Sequence, residues 1–220
     1  RSDRANRLAS PRSCARGGTR HSRPRAAERL SERRSRTRSS ILVAAMLIVS
    51  EEGIAGLTMS ALAARAGVSR QTLYNYCPDV DAVLAGMVEM GDAGTDELAL
   101  QVSREHDPRA ALGLLVSAAV ESVRAGHPSA SAITAALPAE LRTTMRAHEE
   151  RAEEIVVDLL RRGVVDGAFR ADLDPELDGR ILHRALFAGA ELARREDVDP
   201  ESLTKRLNVD LLRILEPTSG

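Results

Sequence analysis

The sequence predicts an all-α chain of about nine helices, and three observations carry that prediction. Alanine, leucine and arginine dominate the 220 residues, while aromatics make up only 2%; such a composition favours helix over sheet. Apolar residues recur at spacings of three and four along most of the chain, the period of a helix with one buried face. Three Asp-Pro pairs, Asp107-Pro108, Asp174-Pro175 and Asp199-Pro200, are helix starts: Asp supplies the cap and Pro suits the first turn.

The elements follow in order. Ser35 or Thr37 caps a first helix whose apolar positions are Ile41, Leu42, Ala45, Ile48 and Val49, ended by Gly53. Thr58 caps a short second helix, Met59–Ala66, stopped by Gly67; Ser69 caps a third, Arg70–Tyr76, stopped near Pro78. Asp79 caps a longer fourth helix through Val83, Leu84, Met87 and Val88 towards Leu98, with Gly91 and Gly94 marking either a bend or a loop. Asp107-Pro108 opens a helix ending near Gly126, a short helix occupies residues 128–137, and Pro138 opens a long one ended by Gly163. The two remaining Asp-Pro pairs open helices over residues 175–195 and 200–215.

Charge is divided unevenly. The formal net charge is −1, but residues 1–40 hold thirteen Arg against Asp3, Glu28 and Glu32, a net +10, and the other 180 residues carry 18 basic and 29 acidic groups, a net −11. Residues 1–35 lack apolar periodicity and are rich in Arg, Ser, Pro and Gly, so they are expected to form a disordered basic arm. Its expected roles are phosphate neutralisation or minor-groove contact, or simply a solvated tail. The first residue is Arg1 rather than Met, which suggests an expression remnant or an incomplete N-terminus. Arginines followed by Ile41–Val49 imitate a secretory signal, but Glu51-Glu52-Gly53 follow at once, and the segment reads better as the first helix. No apolar run of about 20 residues exists to span a membrane. Two cysteines, Cys14 and Cys77, exclude a disulfide scaffold and a Cys-based zinc site.

Residues 58–77 carry the chemistry. A helix-turn-helix needs a small residue where its helices cross, a glycine at the sharp turn and an apolar anchor in the second helix; Ala63, Gly67 and Leu73 stand at that spacing, with Leu62 and Val68 as additional core. Leu73 turns the opposite side of its helix outward, where Arg70 and Tyr74, and Gln71 and Asn75, are i,i+4 neighbours. Arg matches guanine in the major groove, and Gln or Asn matches adenine. Both tyrosines of the chain, Tyr74 and Tyr76, fall in this one helix, which favours surface contact over core filling.

On these residues, the stretch ILVAAMLIVSEEGIAGLTMSALAARAGVSRQTLYNYCPDVDAVLAGMV, residues 41–88, resembles the TetR (tetracycline-repressor-like) family of transcriptional regulators. The resemblance implies an N-terminal three-helix DNA-binding unit (residues 36–82, after the arm of 1–35) and a larger helical domain (83–217) that binds a small effector and dimerises through its last two long helices. Carried over by position, it implies that Thr58 meets a phosphate, that Arg70, Gln71 and Thr72 face base edges, and that Tyr74 and Tyr76 hold the DNA backbone; Ser69 and Asn75 complete the expected DNA-binding set. The chain departs from the family pattern at Cys77, Pro78, Asp79 and Val80. Val80 stands where a phosphate-gripping Lys is usual, and the Arg-rich arm is the candidate replacement.

The expected function is therefore that of a cytoplasmic, ligand-responsive regulator. It would be a repressor that binds a pseudo-palindromic operator in double-stranded DNA as a homodimer and is released by a small-molecule effector. Apolar positions Leu182, Leu186, Leu203, Leu207 and Leu211 suggest a four-helix dimer bundle. No cofactor and no metal is implied: His106, His127, His148 and His183 are scattered, without an HxxxH pair. Phe169 and Phe187 read as core, and the effector-contacting residues are not legible. Enzyme motifs (GxSxG, P-loop, GxGxxG after a strand, HExxH) are absent, so catalysis is not expected. The alternative is a helical adaptor whose basic arm meets nucleic acid or a membrane surface.

Overall fold

A computed structural model describes residues 23–127 and 137–217. These residues form eight α-helices and no strand: α1 (Arg23–Glu52), α2 (Met59–Arg65), α3 (Arg70–Tyr74), α4 (Val80–Arg104), α5 (Pro108–Arg124), α6 (Ala139–Val165), α7 (Pro175–Ala190) and α8 (Pro200–Leu215). Short 3-10 turns cover Ile54–Gly56 and Glu191–Arg194. The helix expected over 128–137 lies, apart from Leu137, outside the described residues.

Aspartate side chains cap four of the helices where the sequence indicated. Asp79 accepts from the Ala82 N–H at 2.8 Å, Asp107 from Arg109 at 2.9 Å and Asp199 from Ser202 at 2.8 Å. Asp174 accepts from both Glu176 and Leu177, at 3.1 and 3.2 Å. These caps satisfy amide groups that have no partner within their own helix.

Four expectations about elements need correction. Helix α1 begins at Arg23, so Ser35 and Thr37 are interior residues and the stretch from 23 to 35 is helical. Its Ala, Leu, Glu and Arg content explains why. Helix α4 runs unbroken through Gly91 and Gly94 to Arg104, which removes the loop alternative. Gly163 does not end a helix; it lies inside α6, and a Cβ there would collide with the Phe169 ring. Only glycine leaves room for that ring beside the helix. Finally, Leu182, Leu186, Leu203 and Leu211 are buried within this chain's own core. The exposed apolar residues of the last two helices are instead Leu177, Ile181, Phe187, Val209 and Ile214.

Chain contacts divide the molecule between Thr37 and Arg38. Before that point, the described side chains from Glu28 to Arg36 are all exposed. From Arg38 onward, one compact unit contains two apolar cores. The first gathers Ile41, Leu42, Ala45, Ile48 and Val49 of α1, Leu62 and Ala63 of α2, Leu73 of α3 and Val83, Leu84, Met87 and Val88 of α4. Leu137 and Met145 join it from far along the chain. The second core is built on α5, α6, α7 and α8 around Phe169, with Val102 from the end of α4. Helices α4 and α6 therefore reach into both cores.

Candidate nucleic-acid interface

The sharp turn between α2 and α3 is a closed hydrogen-bonded cap. The Val68 N–H donates to the Ala63 carbonyl at 3.1 Å and the Gly67 N–H to the Ala64 carbonyl at 3.2 Å. This is the Schellman arrangement, with Gly67 in the left-handed region at φ +65°. Among the described residues, none other than Gly67 and its two chain neighbours has an atom within 4 Å of where a Gly67 Cβ would stand, so the backbone angle, not space, demands glycine here. Ala63 and Leu73 are buried on either side of the turn. The bidentate pair of Arg65 with Glu51, at 2.9 and 2.6 Å, ties α2 to α1. The hydrogen bond from Arg65 holds the Glu51 carboxyl below its ordinary range.

Because Leu73 is fully buried, the residues opposite it must face water. Arg70, Gln71, Tyr74 and Asn75 are exposed, Tyr74 by 50%. Arg70 donates to the Ser60 hydroxyl at 2.6 Å, which steadies the guanidinium across the turn while leaving other donors for an acceptor. Thr58 and Ser69 are exposed caps: Thr58 accepts from the Ala61 N–H and Ser69 from the Thr72 N–H, each at 3.1 Å. The Ser69 and Thr72 hydroxyls also bond each other at 2.8 Å. Thr72 and Tyr76 are half-buried, and Tyr76 packs on the first core. The scarcity of tyrosine therefore did not place both rings on the surface; α3 ends at Tyr74, and the next turn swings Tyr76 inward. Cys77 is buried, and burial pushes its thiol pKa up, away from the reactive thiolate.

A second site lies between α4 and α6. A groove of about 570 Å³ has Ala99, Val102, Ile155 and Leu159 as its apolar wall and Arg151, Glu154, Asp158, Arg161 and Arg162 among its charged residues. A neighbouring cavity of about 400 Å³ adds His106, Val165 and Asp166. The cations here are engaged. Arg162 donates to the Glu105 and Val102 carbonyls at 3.0 and 2.9 Å, finishing the C-terminal end of α4. Arg161 pairs with Glu154, Asp158 and Glu176, and Arg151 with Asp92.

The structure also gathers residues that sequence reading left apart. Asp92 of α4 holds the His148 imidazole of α6 at 2.7 Å. His148 and His127 both stand beside Gly91, whose missing side chain leaves them room. Among the described residues, no group of three metal-ligating side chains assembles. Among the described residues, His183 has both ring nitrogens buried without a hydrogen-bond partner, and its ring lies tilted against that of Phe187, ring centres 4.9 Å apart. Burial holds its pKa below the ordinary value. Phe187 is partly exposed, unlike its expected core placement. Arg194 joins three elements: it bonds Ser50 of α1, the His127 carbonyl after α5 at 2.6 Å, and Glu191 at 2.6 Å. Ser60, Asp92 and Arg194 carried no sequence signal, because Arg70, His148, Ser50 and the His127 carbonyl, which they meet, lie at separations no periodic pattern marks.

Residues 41–86 match the family model described as "Bacterial regulatory proteins, tetR family". The HTH-type transcriptional repressor KstR2 of Rhodococcus jostii (strain RHA1) is 28% identical over 157 residues, 68% of this chain and 76% of that protein. The fold is similar to the TetR family transcriptional regulator PfmR from Thermus thermophilus, with a TM-score of 0.65 and 26% identity over 80% of this chain and 99% of that one. It is also similar to the transcriptional regulator FadR from Bacillus subtilis, solved in complex with stearoyl-CoA: TM-score 0.61, 20% identity, 80% of this chain and 98% of that one. Among the described residues no helix is long and apolar enough to cross a membrane.

Proposed function

We propose that the chain, whose residues 41–86 match the model of the TetR family of bacterial regulators, is a DNA-binding transcription factor of that family and represses transcription from a pseudo-palindromic operator as a homodimer. In this reading residues 36–82 read DNA and residues 83–217 bind effector and dimerise, with α4 shared between them. Arg70, Gln71 and Asn75 meet base edges in the major groove, Tyr74 meets the backbone, and Thr58 donates its hydroxyl proton to a phosphate while its oxygen caps α2. Ser69 and Thr72 hold the recognition helix in shape, and Tyr76 supports it from within. The observation that carries the proposal is the exposed row Arg70, Gln71, Tyr74 and Asn75 on a helix whose other side is locked by buried Leu73.

A two-fold dimer sets its recognition helices about 34 Å apart, one DNA turn, or a multiple of that. The exposed apolar residues Leu177 and Ile181 of α7 and Ile214 of α8 support a dimer face on those helices. The effector enters the α4–α6 groove. The likeness to FadR, solved with stearoyl-CoA, together with the apolar wall and charged rim, favours an acyl thioester or a similar anionic amphiphile. Because α4 is built into both cores, moving its C-terminal half against α6 moves the N-terminal half, which shares the first core with Leu73 of α3. The effector releases DNA only to the extent that it prefers the conformer with the wrong helix separation. Repression takes place in the cytoplasm, where the chromosome is.

A mobility-shift and footprinting titration on the inverted repeats nearest the gene tests this reading. The expected result is a sharply bounded, symmetric footprint that long-chain acyl-CoA dissolves. Diffuse binding with no protected site would favour an adaptor and sink the regulator.

A further inference from the structure

The N-terminal stretch of α1 plays no part in the function proposed above. It is a long piece of helix that buries none of its described side chains: Glu28 through Arg36 are all exposed. A helix without a buried face gains nothing from packing and is marginal in water. From Arg23 to Arg36 it carries six Arg against two Glu, a net +4. Arg29, Arg33 and Arg36 recur at spacings of four and three, so they fall on one face of the helix, about 6 and about 4.5 Å apart along its axis. Like charges at such spacings repel and weaken the helix.

Glu32 pairs with Arg36 at 3.4 Å, with both side chains mostly solvated, an arrangement of little energetic weight. Arg33 and Arg34 are exposed and make no side-chain hydrogen bond or ion pair among the described residues. Two adjacent exposed guanidinium groups of this kind suit an external polyanion. Among the described residues of the stretch, Leu30 is the one large exposed hydrophobe, so it lacks the broad apolar face that a membrane-surface helix needs. A phosphate backbone requires no such face.

We propose that this stretch of α1, centred on Arg33 and Arg34, is a second DNA-binding element that contacts duplex phosphates without regard to sequence. It is covalently continuous with the helix that begins the helix-turn-helix core. Once the operator is engaged, each further phosphate contact is therefore intramolecular, at high effective concentration. The element adds affinity on every sequence and takes the place of the phosphate contact that Val80, in place of Lys, does not supply. The proposal rests on the chain being a DNA-binding regulator, and its test separates the two readings.

The test uses the full chain, with R33Q/R34Q and R33K/R34K variants, titrated against operator and unrelated duplex over a range of salt. Removing one phosphate contact lowers the magnitude of the log K against log salt slope by about 0.9. Each protomer of the dimer loses two contacts, so the Gln variant is expected to lose about 3.6 from the slope on both duplexes, with its operator footprint unchanged, while the Lys variant keeps the parent slope. An unchanged slope in the Gln variant overturns the proposal, as does a loss confined to the operator. Binding of the parent to phosphatidylglycerol vesicles more tightly than to unrelated duplex, abolished by R33Q/R34Q, would assign the stretch to membranes instead. Loss of the footprint in all three proteins would refute the operator reading, while the slope on unrelated duplex still decides the proposal about α1.

Discussion

The two cores of this molecule are assembled in different ways. Most of the first is local in sequence: Ile41 to Val88 supplies nearly all of it, and its recognition surface is five helical residues between two capped turns. The second is stitched from pieces far apart, with Val102, Leu112, Leu159, Phe169, Leu186 and Leu211 meeting only in the folded state. Its surface is correspondingly laced with ion pairs between helices, such as Glu153 with Arg184 and Arg109 with Glu216. A surface that reads DNA must hold a few side chains in fixed register, which short-range caps accomplish. A body that senses a ligand has to couple distant elements, and only long-range packing can do that. Helices α4 and α6 belong to both cores, which makes them the physical connection between reading and sensing.

Large-to-small substitution in each core tests that division most severely. Phe169→Ala empties the centre of the second core and should cost about 3–5 kcal/mol, and Leu73→Ala should cost about 2–5 kcal/mol in the first. Denaturant unfolding measures both. Hydrogen exchange should show Leu73→Ala loosening residues 41–88 ahead of α5 and α8, and Phe169→Ala the reverse. Uniform loosening in either variant would mean that the cores behave as one.

Arg70→Ala sharpens the comparison, because it should affect binding without affecting either core. A loss of about 1–3 kcal/mol on the operator with relaxed base preference is expected, and stability within about 0.5 kcal/mol of the parent, since the site is exposed. Equal loss on operator and unrelated DNA would remove the base-reading role. Gly67→Ala should cost about 1–2 kcal/mol, because the left-handed backbone penalises any Cβ while no neighbour obstructs one. A cost near zero, read by thermal unfolding, would show that the turn relaxes to another conformation.

The smallest expected effect is a pH dependence in the second core. Burial lowers the folded-state pKa of His183 below its unfolded value of about 6.5. Between those two values the unfolded chain binds more protons, so stability falls as pH drops through that window and is fully present above it. Glu153, His148 and Arg184 act on the ring electrostatically, but burial is the largest cause. His183→Gln should flatten that part of the stability–pH curve, and an unchanged curve would assign the slope to another group.

Local signals in the sequence determined most of the framework. Asp79, Asp107, Asp174 and Asp199 marked helix starts, and Ala63, Gly67 and Leu73 marked the helix-turn-helix with its outward row at Arg70, Gln71, Tyr74 and Asn75. Caps and tight turns are settled by residues within a few positions of one another, so a linear string displays them. Tertiary structure alone decided that Gly163 seats Phe169 instead of ending a helix, and that Tyr76 turns inward. It alone placed His148 against Asp92 and set Arg194 against Ser50 and the His127 carbonyl. Those choices depend on which surfaces meet across tens of residues, and helical periodicity says that a face is apolar without saying what it will cover.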